Sequence, residues 1–331
     1  MRIESRLSRI AASTTAALCL LGGGREVLAQ PATPLGEIVL YGIDADTHEL
    51  LRYTFGSDTY VRIGVVVDQN GFEIDHPEGF TYIPSGPYKG FYAVSQGKDD
   101  TDGPHHTLAR INGMDATCVM YPQQIRGNAQ IRGMTTVPDG VGGWRMLAIS
   151  NALWTEEDPP RTDILLIEIH PETGLYTTLW DLSAIWPNLG LNSGAGVSWE
   201  GLSRHPDPNK LFLMTGYQMV EFDLTDGSYQ LIGDHSPISR TESLEIVFGD
   251  LSQKITIPGV PATWTNQGAL FGFSDNLDVL VVFNVASLLD GDTVADYQQY
   301  NCSFDTVDCE GIVFMTQLQD PYGKIVVEAC D

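Results

Sequence analysis

Glu78-Gly79-Phe80-Thr81-Tyr82 opens with a triplet that returns four more times along the chain. The later copies are Arg132-Gly133-Met134, Glu200-Gly201-Leu202, Glu242-Ser243-Leu244 and Glu310-Gly311-Ile312. Each copy has an acidic residue, replaced once by arginine, then a small residue, then an apolar stretch. The intervals are 54, 68, 42 and 68 residues. Common propeller blades repeat every roughly 40–50 residues, so some units here must carry long loops.

The same succession follows each triplet. In the second unit the apolar runs Phe80–Ile83, Gly90–Val94, Leu108–Ile111 and Cys118–Tyr121 are separated by turn residues such as Gly86-Pro87. In the third unit the runs are Met134–Val137, Met146–Ile149, Ile164–Ile169 and Leu175–Trp180, and Pro171-Glu172-Thr173-Gly174 has hairpin chemistry. In the fourth, Leu211–Met214, Met219–Leu224 and Tyr229–Ile232 follow the same order. Four short strands per unit predict an all-β propeller. After the N-terminal segment no stretch has a helical period strong enough to compete.

The two ends of the chain complete each other. Leu40–Ile43, Leu51–Phe55 and Tyr60–Gly64 align with Leu211–Met214, Val220–Leu224 and Tyr229–Gly233, so the N-terminal unit lacks only its first strand. The last unit, from Glu310, has that first strand and little else. Pairing the termini closes the ring and removes exposed sheet edges. Five blades are expected, with six as the alternative because Lys324–Glu328 reads as one strand too many.

Ahead of the repeats lies a secretory pattern. Arg2, Arg6 and Arg9 precede an apolar run from Ala11 to Leu21, and Val27-Leu28-Ala29 supplies a cleavage site before Gln30. The expected organisation is a signal peptide over residues 1–29 and one propeller domain over 30–331, secreted to the periplasm or the medium. No segment is long and apolar enough to span a bilayer. The formal net charge of −25 argues against nucleic acid and anionic membranes as partners and favours cations. A small molecule, a glycan or a protein is the expected partner, and the chain reads as a monomer. In an exported chain Cys302 and Cys309, flanking a short turn, are the favoured disulfide. Cys118–Cys330 then follows by elimination.

The first strand of a blade lines the central channel, so Glu78, Glu200, Glu242 and Glu310 are expected to form a ring at one mouth, with Arg132 as its odd member. Carboxylates facing one axis repel one another unless protonated, paired or bridged by a cation. Arg132 can neutralise its neighbours, and Ca²⁺ or Mg²⁺ suits hard oxygen ligands. Alternatively each glutamate accepts local backbone N–H bonds and caps its own blade. Asp99, Asp100, Asp102, His105 and His106 form a second cluster, in the insertion of the second unit, where His105 and His106 are candidate ligand contacts. Asp290, Asp292 and Asp296 form a polar loop without the glycine of a helix–loop–helix calcium site. Asp44-Ala45-Asp46 reads as a hairpin turn, aligned with Asp223 and Asp226. Trp154 and Trp186 lie in loops and can stack on sugars. No nucleophile elbow, zinc-protease motif, phosphate loop or dinucleotide fingerprint is present.

Glu78–Tyr82, followed by Gly90-Phe91-Tyr92-Ala93-Val94-Ser95-Gln96-Gly97, resembles the blade openings of bacterial phytase-like and SdiA-regulated-type propellers. The Glu-Gly start resembles the strand that carries a metal-binding glutamate in the gluconolactonase family. That resemblance implies a propeller with a divalent cation and phosphatase or lactonase activity. The other ligands of those families have no recognisable counterpart here. Two functions follow as expectations. One is a secreted binding module. The other is a metal-dependent hydrolase of phosphoesters, lactones or glycosides at the channel mouth.

Overall fold

A computed structural model describes residues 38–316, apart from 56, 75, 96–105, 126–129, 152–162, 186–198, 216–217, 235–240, 248–256, 258, 275–278, 292–295 and 301–308. At Ile38, Trp199, Glu200, Thr215, Asp234, Thr241–Val247, residues 265–267, Ser274, Cys309, Glu310, Met315 and Thr316 only the backbone is described. The predicted signal peptide, Lys324–Glu328, Cys302, Cys330, His105, Trp154 and Trp186 lie outside the described residues.

The strands form five antiparallel sheets, each built outward from one innermost strand. Blade 1 joins β21 (Cys309–Thr316) to β1 (Ile38–Asp44), β2 (Glu49–Thr54) and β3 (Thr59–Val65). Blade 2 runs from β5 (Pro77–Ile83) through β6 (Gly90–Ser95) and β7 (Thr107–Ile111) to β8 (Thr117–Gln124). Blade 3 holds β9 (Gln130–Pro138), β10 (Trp144–Asn151), β11 (Ile164–Ile169) and β12 (Tyr176–Asp181). Blade 4 holds β13 (Trp199–Arg204), β14 (Lys210–Thr215), β15 (Gln218–Asp223) and β16 (Tyr229–Asp234). Blade 5 holds β17 (Thr241–Val247), β18 (Ala269–Ser274), β19 (Val279–Asn284) and β20 (Tyr297–Tyr300). The innermost strands pack in the cyclic order β5, β9, β13, β17, β21 and back to β5.

Closure is the expected one: β21 pairs with β1 from Ile38↔Thr316 to Asp44↔Cys309. The core is five interfaces, because both faces of every blade are covered. In β14, Leu211 and Leu213 pack towards blade 3, while Phe212 and Met214 pack towards blade 5. Alternate side chains thus enter different cores, so the strand reads as one unbroken apolar run. Each fully buried Leu or Phe contributes about 1.5–3 kcal/mol.

Three local features depart from the sequence reading. A short strand, β4 (Val67–Asp68), adds to the outer edge of blade 2, parallel to β8. Two short helices, α1 (Ala262–Gln267) and α2 (Val285–Leu288), occupy connections of blade 5, and the Asn284 side chain caps α2 by accepting from the Ala286 amide. The Asp44 turn joins second and third strands of a blade, whereas Asp223 and Asp226 join third and fourth, so the two are not equivalent copies. Both still serve as turns: Asp44 Oδ1 accepts from the amides of Asp46 and Thr47, and Asp223 Oδ1 from that of Thr225. Among the described residues no helix is long and apolar enough to cross a membrane.

Candidate functional site

At the repeated triplet every innermost strand slips register by one residue. The skipped residues are Gly79, Gly133, Glu200, Glu242 and Glu310, one per blade. Such bulges bend a strand and re-aim its side chains, and they concentrate at rims and functional sites. Here five of them stand at one end of the inner strands. Gly79 and Gly133 adopt φ of 56° and 55°, the left-handed region that glycine enters without cost.

The small residue of the triplet has a packing role as well. A Cβ on Gly79 would lie 2.7 Å from Met134 Cγ, one on Gly133 2.7 Å from Leu202 N, and one on Gly311 2.3 Å from Phe80 Cβ. In three blades, then, the glycine receives the apolar residue of the next blade's triplet. The repeat is in part a device for bringing five inner strands together.

At this end Arg132 Nη1 stands 3.5 Å from Glu78 Oε1, both side chains nearly buried. Arg132 is steadied by Gln130, whose Oε1 accepts from Nε and Nη2. The backbone of Glu200, Glu242 and Glu310 lies at the same bulge; their side chains are outside the described residues. Among the described residues no three His, Cys, Asp or Glu side chains gather in a way that could hold a metal. His106 is buried at the same end of blade 2, two strands out from Glu78, and its carbonyl accepts from the Ile125 amide.

Cys118 is a buried thiol in blade 2, and its expected partner, Cys330, lies outside the described residues. Burial, with a smaller push from Asp68, raises the Cys118 pKa to about 11, which keeps the sulfur protonated and unreactive.

The opposite end of the inner strands holds a cavity of about 290 Å³. Four residues beyond the triplet's first position, blades 2, 3, 4 and 1 contribute Tyr82, Thr136, Arg204 and Phe314 to its wall. Thr81, Ser85 and Trp144 add polar groups. The wall is preset: Thr136 Oγ1 donates to the Tyr82 carbonyl at 2.9 Å, and Trp144 Nε1 to Ser85 Oγ at 3.0 Å. One guanidinium, several hydroxyls and an indole N–H face a space of this size, and its described lining contains no carboxylate or imidazole. Sequence reasoning missed this set because none of its residues repeats. Reading the copies at a fixed distance after the triplet would have aligned them.

His205 follows Arg204 directly. Its Nδ1 accepts from the Asp207 amide at 2.9 Å, and its Nε2 lies 3.0 Å from Glu221 Oε2. Nδ1 as acceptor places the proton of the neutral ring on Nε2, facing the carboxylate. Glu221 also receives Lys210 Nζ at 2.7 Å and Gln230 Nε2 at 3.2 Å. Burial, outweighing the pull of Glu221, holds the His205 pKa below its usual value.

The closed ring and its axial cavity make the protein a five-bladed β-propeller. No family model matches the chain, and no curated protein matches it. Among solved structures, a chain of the nidogen/laminin complex is 10% identical with a TM-score of 0.42, over 84% of this chain and 98% of that one. A provisionally assigned 6-phosphogluconolactonase from Bacteroides fragilis is 13% identical with a TM-score of 0.37, over 86% of this chain and 100% of that one. A provisionally assigned TolB from Agrobacterium tumefaciens is 10% identical with a TM-score of 0.39, over 81% and 70%. Similarity at this level transfers no activity, ligand or partner.

Proposed function

We propose that the protein is a secreted binding module that seats a small hydroxyl-rich molecule, or the terminal residue of a glycan, in the axial cavity beside Arg204. The observation that carries this reading is the convergence of polar side chains from blades 2, 3 and 4 on about 290 Å³. That volume lies at the small end of ligand pockets. Hydrolysis would need a general base within reach, and the described lining offers none. The test is a glycan array and a small-molecule thermal-shift screen, beside hydrolysis assays with Ca²⁺, Mg²⁺, Mn²⁺ and Zn²⁺. Binding that Arg204→Gln weakens supports the reading. Metal-stimulated turnover would instead establish the hydrolase suggested by the resemblance to phytase-like and gluconolactonase propellers.

A cation at the other mouth belongs to the same proposal. Glu200, Glu242 and Glu310 share a bulge position, and three carboxylates there would suit Ca²⁺ or Mg²⁺. Glu78 fits such a site less well, because Arg132 already neutralises it. A bound ion raises stability by roughly 2.7 kcal/mol at a hundredfold excess over its dissociation constant. Melting that is identical in Ca²⁺ and in EDTA leaves these glutamates a purely structural role.

A further inference from the structure

We propose that the Asn112-Gly113 turn of blade 2 is a site of spontaneous modification, where Asn112 converts to aspartate and isoaspartate, while Asn70-Gly71 is protected by its own turn. The chain holds the Asn-Gly pair at these two places only, and both asparagines are exposed. The reaction is the same at each. The glycine's backbone nitrogen attacks Cγ of the asparagine side chain, and Nδ2 leaves as ammonia, taking the proton of that backbone amide. A five-membered cyclic imide remains. Water opens it at either carbonyl, giving aspartate or, with the backbone rerouted through the side chain, isoaspartate. Glycine permits the attack because it has no Cβ to crowd its nitrogen.

The two turns differ in what surrounds the reacting atoms. Asn112 Oδ1 accepts from the Met114 amide at 3.1 Å. That oxygen gains negative charge as the ring closes, so a donor already aimed at it stabilises the transition state. Asn112 is also held in place, its amide donating to the Thr117 carbonyl at 2.8 Å and its carbonyl accepting from the Ala116 amide at 3.0 Å. Among the described residues the Gly113 amide meets no acceptor. Both residues line a cleft of about 620 Å³ on the flank of blade 2, where water can reach them. The acid of this turn, Asp115, is occupied by the amide and hydroxyl of Thr117. At Asn70 the arrangement is reversed. The Gly71 amide donates to the Asp68 carbonyl at 2.9 Å, which engages the nucleophile. The Asp68 carboxylate accepts from the Asn70 amide at 2.8 Å and from Nδ2 at 3.1 Å. A negative charge thus stands beside the group that must itself become anionic, and like charges disfavour that step.

The test is a time course of the folded full-length chain at mildly alkaline pH, followed by peptide mass spectrometry with fragmentation that distinguishes isoaspartate. Trypsin separates the two pairs, releasing residues 63–89 with Asn70 and residues 111–126 with Asn112. Asn112 should convert at least about tenfold faster than Asn70, the factor that ~1.4 kcal/mol gives. In urea, where neither set of hydrogen bonds persists, the two rates should converge. Asp68→Ala should speed conversion at Asn70 and leave Asn112 unchanged. Gly113→Ala should stop conversion at Asn112; should that variant lose its β-sheet circular dichroism, Asp68→Ala and the urea comparison carry the test. An Asn112 that stays intact in the folded chain, or an Asn70 that converts as fast, overturns the proposal. So does a rate ratio that survives in urea, which would assign the difference to neighbouring sequence and not to the fold.

Discussion

The two ends of the inner strands are built on opposite principles. At the triplet end nearly everything repeats: five bulges, glycines closed against the next blade, and one position that is glutamate in four copies of five. At the other end nothing repeats. The equivalent positions are Tyr82, Thr136, Arg204 and Phe314, with Ile246 in the fifth blade. Fivefold repetition answers a requirement that every blade shares, which is fitting against its neighbour. A ligand imposes no such symmetry. Departure from the repeat is therefore the better mark of a binding site in this molecule, and conformity to it the mark of architecture.

The largest expected effect tests the architectural half. Gly133→Ala places a Cβ 2.7 Å from the Leu202 amide nitrogen, on backbone at φ 55°. Backbone cannot swing aside as a side chain can. Overpacking and a left-handed non-glycine residue together should cost roughly 3–5 kcal/mol, read as a fall in the urea midpoint. Gly140→Ala, in a turn at the opposite end with φ 79° and nothing within 4 Å, should cost about 1 kcal/mol. Equal losses would remove the distinction between the two ends.

The next effect concerns the one break in the glutamate series. Arg132→Met leaves the Glu78 carboxylate nearly buried without its guanidinium. The expected loss is about 2–3 kcal/mol, below that of a fully buried pair because both side chains keep some contact with water. Adding Glu78→Gln should restore part of it. If the double variant is no more stable than Arg132→Met, the 3.5 Å approach contributes little.

These contrasts explain what the sequence makes legible. Strand order and closure are visible because burial on both blade faces turns each strand into an apolar run, as in Leu211-Phe212-Leu213-Met214, and because turn chemistry separates the runs. Blade 5 is harder to read: β17 and β18 are separated by residues 248–268, which include α1 and several breakers, Gly249, Pro258-Gly259 and Pro261, so no single tight turn marks the register. The triplet itself is conspicuous, but its glycine answers to steric limits in a neighbouring blade, far away in sequence, which local patterning does not reveal. The axial cavity leaves no periodic trace. Its members are ordinary residues on five strands and one connection, and only the folded ring makes them neighbours.

A smaller effect is expected at His205, beside the irregular end. Its folded pKa lies below the ordinary value, mainly through burial. The folded state then binds fewer protons than the unfolded chain, so stability is complete at neutral pH and falls as pH drops through the ordinary histidine range near 6.5. The groups facing the ring are Glu221, Lys210 and the Asp207 amide. Protonation of Nδ1 would break its bond from that amide. Urea midpoints at pH 7.5, 6.5 and 5.5 should decline in the native chain and flatten in His205→Gln. An unchanged slope in the variant would assign the pH dependence to other groups.

The smallest stability effect is also the one that separates architecture from binding. Thr136→Val keeps the volume and branching of the side chain but removes the hydroxyl that donates to the Tyr82 carbonyl between blades 3 and 2. Losing one neutral hydrogen bond at a nearly buried position should cost about 1 kcal/mol. If the hydroxyl serves packing alone, that is the whole consequence, and any ligand found on the array binds as before. If the cavity is a binding site, the same substitution leaves an apolar group where a ligand hydroxyl expects a partner, and it frees the Tyr82 carbonyl to face the bound molecule. Affinity should then fall about tenfold or more, the weight of one charge-assisted or buried hydrogen bond, while the urea midpoint moves only slightly. A change in midpoint with no change in affinity would return Thr136 to the architecture and leave Arg204 to carry the site without it.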